Sequence, residues 1–233
     1  MHYFFCCTLK NVSQNDCVTL DKEEAQHLFR ILRAQVGDRV GLMDGEGTRA
    51  TAVVTEEKTL AIETIQSFPI PPLRLHLYVA APRKQKMEQL LKQATELGVW
   101  RVVTIQCQRS VALPSGERIA KRVPDLLAEA CKQSGNPFLP IMEDPVKFSD
   151  ALQDAAEKCQ NNFFGDPAID GNADPLTGDV GYFVGPEGGF SPEEIQAMRD
   201  VGFRPLRIGH WILRVETAAT AGLAVLAAKE AVS

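Results

Sequence analysis

One stretch constrains this chain more than any other. The apolar run Tyr182-Phe183-Val184 passes into Gly185-Pro186-Glu187-Gly188-Gly189-Phe190, and then into Ser191-Pro192-Glu193-Glu194. It reads as a strand, a glycine-rich loop and a helix start. Glycine has no Cβ, so such a loop can bring bare backbone N–H and C=O groups close to a ligand. The helix start is well marked: Ser191 suits the N-cap, Pro192 suits N1, and Glu194 falls at N3, which completes a capping box. A second unusual run follows, Ile208-Gly209-His210-Trp211-Ile212-Leu213-Arg214-Val215-Glu216-Thr217-Ala218. The first loop is not a P-loop, since no G-K-[ST] follows it. It is not the G-x-G-x-x-G dinucleotide fingerprint either, which belongs on the first strand of a βαβ unit and not on a late one. Taken alone, it also suits a tight structural turn.

The rest of the chain supplies the frame. Up to residue 70 the pattern is mostly β, with short strands expected at 3–7, 17–20, 40–43, 49–55 and 60–68 and one helix over 22–34, which together suggest a small barrel. Pro69-Ile70-Pro71-Pro72 is the clearest punctuation. After it, strands and helices alternate. Strands are expected at 75–80, 102–105, 162–164, 180–184 and 205–208. Helices are expected with Met87, Leu90, Leu91, Ala94 and Leu97 on one face ending at Gly98, over 117–133, 149–158 and 191–201, and from about 215 to 232. Such alternation implies a parallel sheet with helices on its faces. The domains are therefore expected at residues 1–70 and 73–233.

Composition excludes several classes. No run is long and apolar enough for a membrane span, and the start Met1-His2-Tyr3-Phe4-Phe5 lacks a basic signal-peptide region. The cysteines Cys6, Cys7, Cys17, Cys107, Cys131 and Cys159 form no C-x-x-C pair, and the histidines are scattered, so no metal site is expected. Buried reduced thiols point to the cytoplasm, with Cys6-Cys7 placed in an edge strand. Net charge is −5, which by itself argues against a polyanion partner. Its distribution argues the other way: residues 73–137 hold 11 basic and 5 acidic side chains. A patch facing RNA and a merely solvated helix face are both compatible with that count.

Several signatures in one order carry a resemblance. Gly185-Pro186-Glu187-Gly188-Gly189-Phe190-Ser191 followed by the Ile208-Gly209…Ile212-Leu213-Arg214…Glu216-Thr217-Ala218 run resembles the SPOUT methyltransferases. Within them the chain is similar to the family that methylates N3 of a uridine in small-subunit (16S) ribosomal RNA. His27-Leu28-Phe29-Arg30-Ile31-Leu32-Arg33, Val36-Gly37-Asp38 and Asp44-Gly45 are similar to that family's PUA-like RNA-binding domain. Lys86, Glu88, Ala94-Thr95-Glu96-Leu97-Gly98-Val99, Arg109-Ser110 and Glu129-Ala130-Cys131-Lys132-Gln133-Ser134 match further signatures. Two positions depart. Trp211 stands where the family usually has arginine, which alters how the cofactor loop packs. Asn136 also replaces an arginine, which removes an RNA contact.

The resemblance implies a trefoil-knotted SPOUT α/β methyltransferase domain preceded by a small PUA-like β-barrel. It implies an enzyme that uses S-adenosyl-L-methionine, acts on 16S rRNA or the small ribosomal subunit, and forms a homodimer. A SPOUT enzyme of other specificity (ribose 2′-O or guanine N1) and a non-catalytic RNA-binding or ribosome-assembly factor are the alternatives. Cofactor contacts are expected from Gly185, Glu187, Gly188, Gly189, Ile208, Gly209, Ile212, Leu213, Thr217 and Ala218. Uracil N3 carries a proton and is a poor nucleophile until it is lost, so a cation or base must stand near. Arg214 is the candidate to stabilise the anion and Glu216 the candidate base; an Arg–Glu pair at a helix start is the structural alternative. His27, Arg30 and Arg33, spaced three apart on one expected helix, are candidates for RNA contact, as are Arg83, Lys86 and Arg109.

Overall fold

The computed structural model describes residues 1–56, 58–82, 84–111, 117–166 and 175–230. The chain divides into two compact units, one of residues 1–70 with 128–139, the other of residues 71–127 with 140–233. Residues 128–139, which the punctuation at 69–72 places in the second domain, thus belong to the first unit.

The first unit is built on β1 (Tyr3–Phe5), β2 (Cys17–Val18), β3 (Arg39–Met43), β4 (Thr48–Val54) and β5 (Leu60–Ser67). They form one curled sheet in the order β1-β3-β4-β5-β2, with β1 parallel to β3 and the other pairs antiparallel. Strand β4 alternates buried and half-buried positions along its whole length, as a sheet with one covered face requires. Phe4, Leu9, Leu28, Leu42, Ala52 and Ile62 meet in the core. The expected helix over 22–34 is shorter and different in kind: α1 (Lys22–Gln26), capped by the Asp21 carboxylate, runs into a π-helical turn at His27–Ile31. Arg33 lies beyond it in the left-handed region at φ +55°. The spacing argument for His27, Arg30 and Arg33 therefore does not hold as a helix face, although all three side chains are exposed. Cys6 and Cys7 fall just past the edge strand β1. All six cysteines are free thiols; Cys7 and Cys17 are exposed, against the expectation of burial.

The second unit holds a parallel sheet of β6 (Leu73–Ala80), β7 (Val99–Gln106), β8 (Ile141–Lys147), β9 (Asn161–Gly165), β10 (Gly178–Val184) and β11 (Arg204–Leu206). Their order is β11-β9-β10-β6-β7-β8. Strands β6 and β10 lie inside the sheet, with helices on its faces, and read as nearly unbroken apolar runs. Strand β8 was not expected. It is a partly exposed edge strand of polar residues interrupted by Pro145, and an edge is where a sheet tolerates proline. The helices are α2 (Lys84–Glu96), α3 (Glu117–Ser134), α4 (Phe148–Lys158), α5 (Pro192–Asp200) and α6 (Val215–Ala227). In α2, Met87, Leu90, Leu91 and Ala94 form the buried face, and Gly98 follows at φ +77°. Helix α6 stops at Ala227, short of the expected 232. The residues after it turn so that Glu230 bridges to Leu176. Strand β11 lies at the far edge, yet α6 packs on α2, β6 and β10 at the centre. The chain therefore returns across the carboxyl ends of β9 and β10 between them.

Among the described residues, most charged side chains of the basic segment are used within the protein. Arg101, almost fully buried, reaches Glu143 at 2.6 Å and Asp154 at 2.7 Å. Tyr78 donates to Asp154 at 2.6 Å. Arg74 and His76 both bind Asp179. Lys86, Arg122 and Lys132 are ion-paired as well. The count of positive residues in 73–137 thus overstated the free charge.

Burial works to raise the Asp154 pKa, but the bonds from Lys158, Tyr78 and Arg101 outweigh it and hold the carboxyl at about 2. A carboxyl with a depressed folded-state pKa stabilises the fold above its unfolded value of 3.8, and that contribution is lost as pH falls toward 2. Asp154→Asn is expected to melt well below the parent protein at neutral pH. The two melting temperatures should then converge as pH is lowered from about 5 to about 2. Parallel curves in a thermal scan against pH would show that Asp154 carries no such linkage.

Candidate functional site

The loops after β9, β10 and β11 meet at the carboxyl ends of the sheet, where open α/β sheets bind ligands. They enclose a cleft of about 290 Å³. After β10 the chain makes a turn in which the Gly189 N–H donates to the Pro186 carbonyl at 2.8 Å. Gly189 takes φ +70°, a conformation that a side chain would strain. Ser191 then caps α5, and the complete capping box with Glu194 is present. Glu194 has a second task that no local pattern announces. One of its oxygens accepts from Ser191 N at 2.8 Å, the other from Gln108 N at 2.8 Å. The carboxylate thereby ties the loop after β7 to the glycine loop. Arg109 adds to this tie, donating from Nη1 to the carbonyls of Gly188 at 3.0 Å and Phe190 at 3.3 Å.

Of the expected cofactor contacts, Gly185, Glu187, Gly188, Gly189, Ile208, Gly209, Ile212, Leu213 and Ala218 all line this one cleft. Thr217 does not; it is exposed on the first turn of α6. Asp166, which is not among the residues expected from the sequence, lines the cleft just beyond β9, 3.7 Å from Arg199. Its only sequence signal was an acid directly after the apolar run Phe163-Phe164-Gly165. Trp211, the residue that departs from the family's arginine, lines the cleft too and is 82% exposed. Asn136 closes a local turn, its Oδ1 accepting from Phe138 N at 3.0 Å.

Arg214 is the N-cap residue of α6, placed between cleft-lining Leu213 and Val215, and its side chain makes no capping bond. That side chain is exposed and makes no hydrogen bond or ion pair among the described residues. Glu216 is nearly buried and lies 3.1 Å from Lys86 Nζ. Burial pushes its pKa up, but its own backbone N–H, Lys86 and Arg214 pull it down further, and the net direction is below the ordinary glutamate range. Lys86 is therefore engaged at the start of α6, and Arg109 at the glycine loop. Arg83 lies outside the described residues. Among the described residues, no helix is long and apolar enough to cross a membrane.

Comparison with known proteins bears on this cleft. The model of the RNA methyltransferase domain family matches residues 69–227, and that of an RNA methyltransferase PUA domain matches residues 20–65. The ribosomal RNA small subunit methyltransferase E of Aquifex aeolicus is 30% identical, over 97% of this chain and 99% of its own length. That of Bacillus subtilis is 25% identical over 93% and 91%. Among solved structures, a ribosomal RNA small subunit methyltransferase E from Neisseria gonorrhoeae bound to S-adenosyl methionine superposes with a TM-score of 0.83 at 26% identity, covering 96% of this chain and 95% of that one. A methyltransferase from Legionella pneumophila in complex with the bound cofactor SAM gives 0.82 at 28%, covering 97% and 96%.

Proposed function

This chain belongs to the RNA methyltransferase family, with a trefoil-knotted SPOUT α/β domain behind a PUA-type domain, and from that premise we propose that it transfers a methyl group from S-adenosylmethionine to N3 of a uridine in 16S rRNA. The observation that carries the proposal is the single cleft at the carboxyl ends of β9, β10 and β11, which gathers nine of the ten expected cofactor contacts.

The residues fit that cofactor. Phe190, Ile208 and Leu213 offer apolar walls for a purine, and the glycine loop offers backbone groups for its polar edge. Asp166 and Glu187 are carboxylates, and no Lys, Arg or His lines the cleft among the described residues. That balance suits a ligand carrying a sulfonium and an ammonium. When bound, the cofactor supplies an activated methyl group. The chain's own residues position and prepare the acceptor, since displacement chemistry depends chiefly on alignment. Arg214, exposed at the cleft's edge, is assigned to stabilise the uracil anion. Glu216, held acidic and paired with Lys86, takes a proton poorly. We assign it to fixing Lys86 and the start of α6.

Two measurements test this reading. A Cβ at Gly209 would meet nothing within 4 Å, so Gly209→Val alters the cleft and leaves the fold intact. Calorimetry is expected to show S-adenosylmethionine binding at least ~10-fold weaker in that variant, a loss of about 1.4 kcal/mol. Unchanged affinity would remove the cleft assignment. Mass spectrometry of 16S rRNA from a strain lacking the gene should show one uridine without its methyl group, restored by the purified protein.

The RNA side rests on exposed His27, Arg30 and Arg33 of the PUA-type unit. Arg30→Glu with Arg33→Glu is expected to weaken 16S rRNA binding and to flatten its salt dependence, because fewer counterions are released. Cofactor affinity should not change, since the described residues that line the cleft all belong to the second unit. Equal RNA affinity at low salt would leave this face merely solvated. We also propose that the protein works in the cytoplasm as a homodimer on the small ribosomal subunit or its RNA.

A further inference from the structure

Trp211 stands on the rim of the cleft with 82% of its surface exposed. Among the described residues it makes no ring contact or hydrogen bond. Leaving a large aromatic ring in water forgoes the burial that such a side chain usually obtains, so the position calls for an occupant. The chemistry around it says which. Arg204 is held by Asn161 and the Phe163 ring, but the Arg214 side chain, three residues on from Trp211, is exposed and makes no hydrogen bond or ion pair among the described residues. Arg207 lies 3.0 Å from His210 at the exposed start of this loop. Positive charge beside a bare ring is the pairing that single-stranded RNA meets, with phosphates on the cations and a base on the ring. A base must also leave its stack before an enzyme can reach an atom on its pairing edge.

We propose that Trp211 is the platform on which the target uracil stacks. The inference rests on the uridine-methylating reading above. Stacking engages the face of the base and leaves its edge open. N3 lies on that edge, so the base can rest on Trp211 and present N3 to the cleft and to Arg214, three residues further on. Stacking also has no preference among bases. Choice of uracil then falls to the groups at the edge, and Trp211 contributes holding and alignment.

The test uses the full-length protein, S-adenosylmethionine, and a 16S rRNA transcript or subunits assembled from it, which carry no methyl groups. Trp211→Ala and Trp211→Leu are each expected to slow single-turnover methylation by at least about tenfold, within the range that loss of a base–aromatic stack produces. Trp211→Phe should recover most of the rate, because it restores a flat π face, whereas leucine restores only apolar bulk. Cofactor affinity, read separately by calorimetry, should fall by less than the rate does. Equal rates for leucine and phenylalanine, or a wild-type rate for alanine, would overturn the proposal. So would a loss of activity that tracks dissociation of a dimer in sedimentation, since the ring would then be covered by a second copy of the chain. A parent protein that binds the cofactor but methylates neither substrate would instead overturn the function on which the inference rests.

Discussion

Arg214→Ala is expected to lower the single-turnover methylation rate by at least ~10²-fold, the scale seen when one transition-state donor is removed. The fold should not suffer. Arg214 is exposed, and its side chain neither caps α6 nor makes a hydrogen bond or ion pair among the described residues. Cofactor affinity should change much less than the rate, because the proposed interaction forms with the reacting base. Lysine should rescue only in part, since it supplies charge without the planar fork. Raising the pH should partly restore the alanine variant, because a uracil that has already lost its N3 proton needs less help. A near-wild-type rate at neutral pH would move the catalytic role to another cation.

Gly222→Ala is expected to be among the most damaging substitutions to stability. Any Cβ at that position would fall on the ring of Tyr182, closer than real atoms approach. Tyr182 cannot move aside easily. It is fully buried in β10, and its hydroxyl donates to the Ala218 carbonyl at 3.1 Å. Overpacking at such a site costs about 3 kcal/mol or more, read as a fall in Tm of roughly 10 °C for a domain of this size. Trimming the partner should recover part of the loss, so Tyr182→Leu combined with Gly222→Ala is expected to melt above the sum of the two single effects. A Gly222→Ala protein with parental Tm would mean that the helix and strand can separate at no cost. Loss at this position would also explain the small residues Ala218, Ala219, Ala221 and Gly222 in α6: they let the helix lie close against the sheet.

What the sequence disclosed was chemistry between near neighbours. The Ser191–Glu194 capping box, the buried face of α2 and the Gly98 stop are all set by spacings of three or four residues, and all are present. The glycine loop and the run 208–218 stand out in the sequence as one candidate site, and nearly all of their chosen residues share one cleft. The failures lie where a distant partner decides. Strand β8 has a polar sequence and exists because β7 offers it an edge. Lys86 and Arg109 looked like free cations, but Glu216 and the carbonyls of Gly188 and Phe190 claim them. Asp166 is one acid among many until β9 carries it to the cleft. The π turn at His27–Ile31 keeps helical hydrophobic spacing while shifting every later side chain round the axis.

The return of the chain from β11 at the sheet's edge to α6 at its centre also sets the order in which this unit can form. The Thr220 hydroxyl donates to Gln93 at 3.1 Å, joining α6 to α2 across 127 positions of sequence. Contacts so remote must overcome the entropy of closing a long loop before they stabilise anything, and folds that depend on them form slowly. Val215 and Ala218, two walls of the cleft, arrive only with that late step. The β6–β10 pairing at the centre of the sheet is nearly as remote, with Arg74 and Asp179 105 positions apart. The middle of the sheet and the cleft wall carried by α6 are therefore both late, and a nascent chain without α6 has no complete ligand cleft.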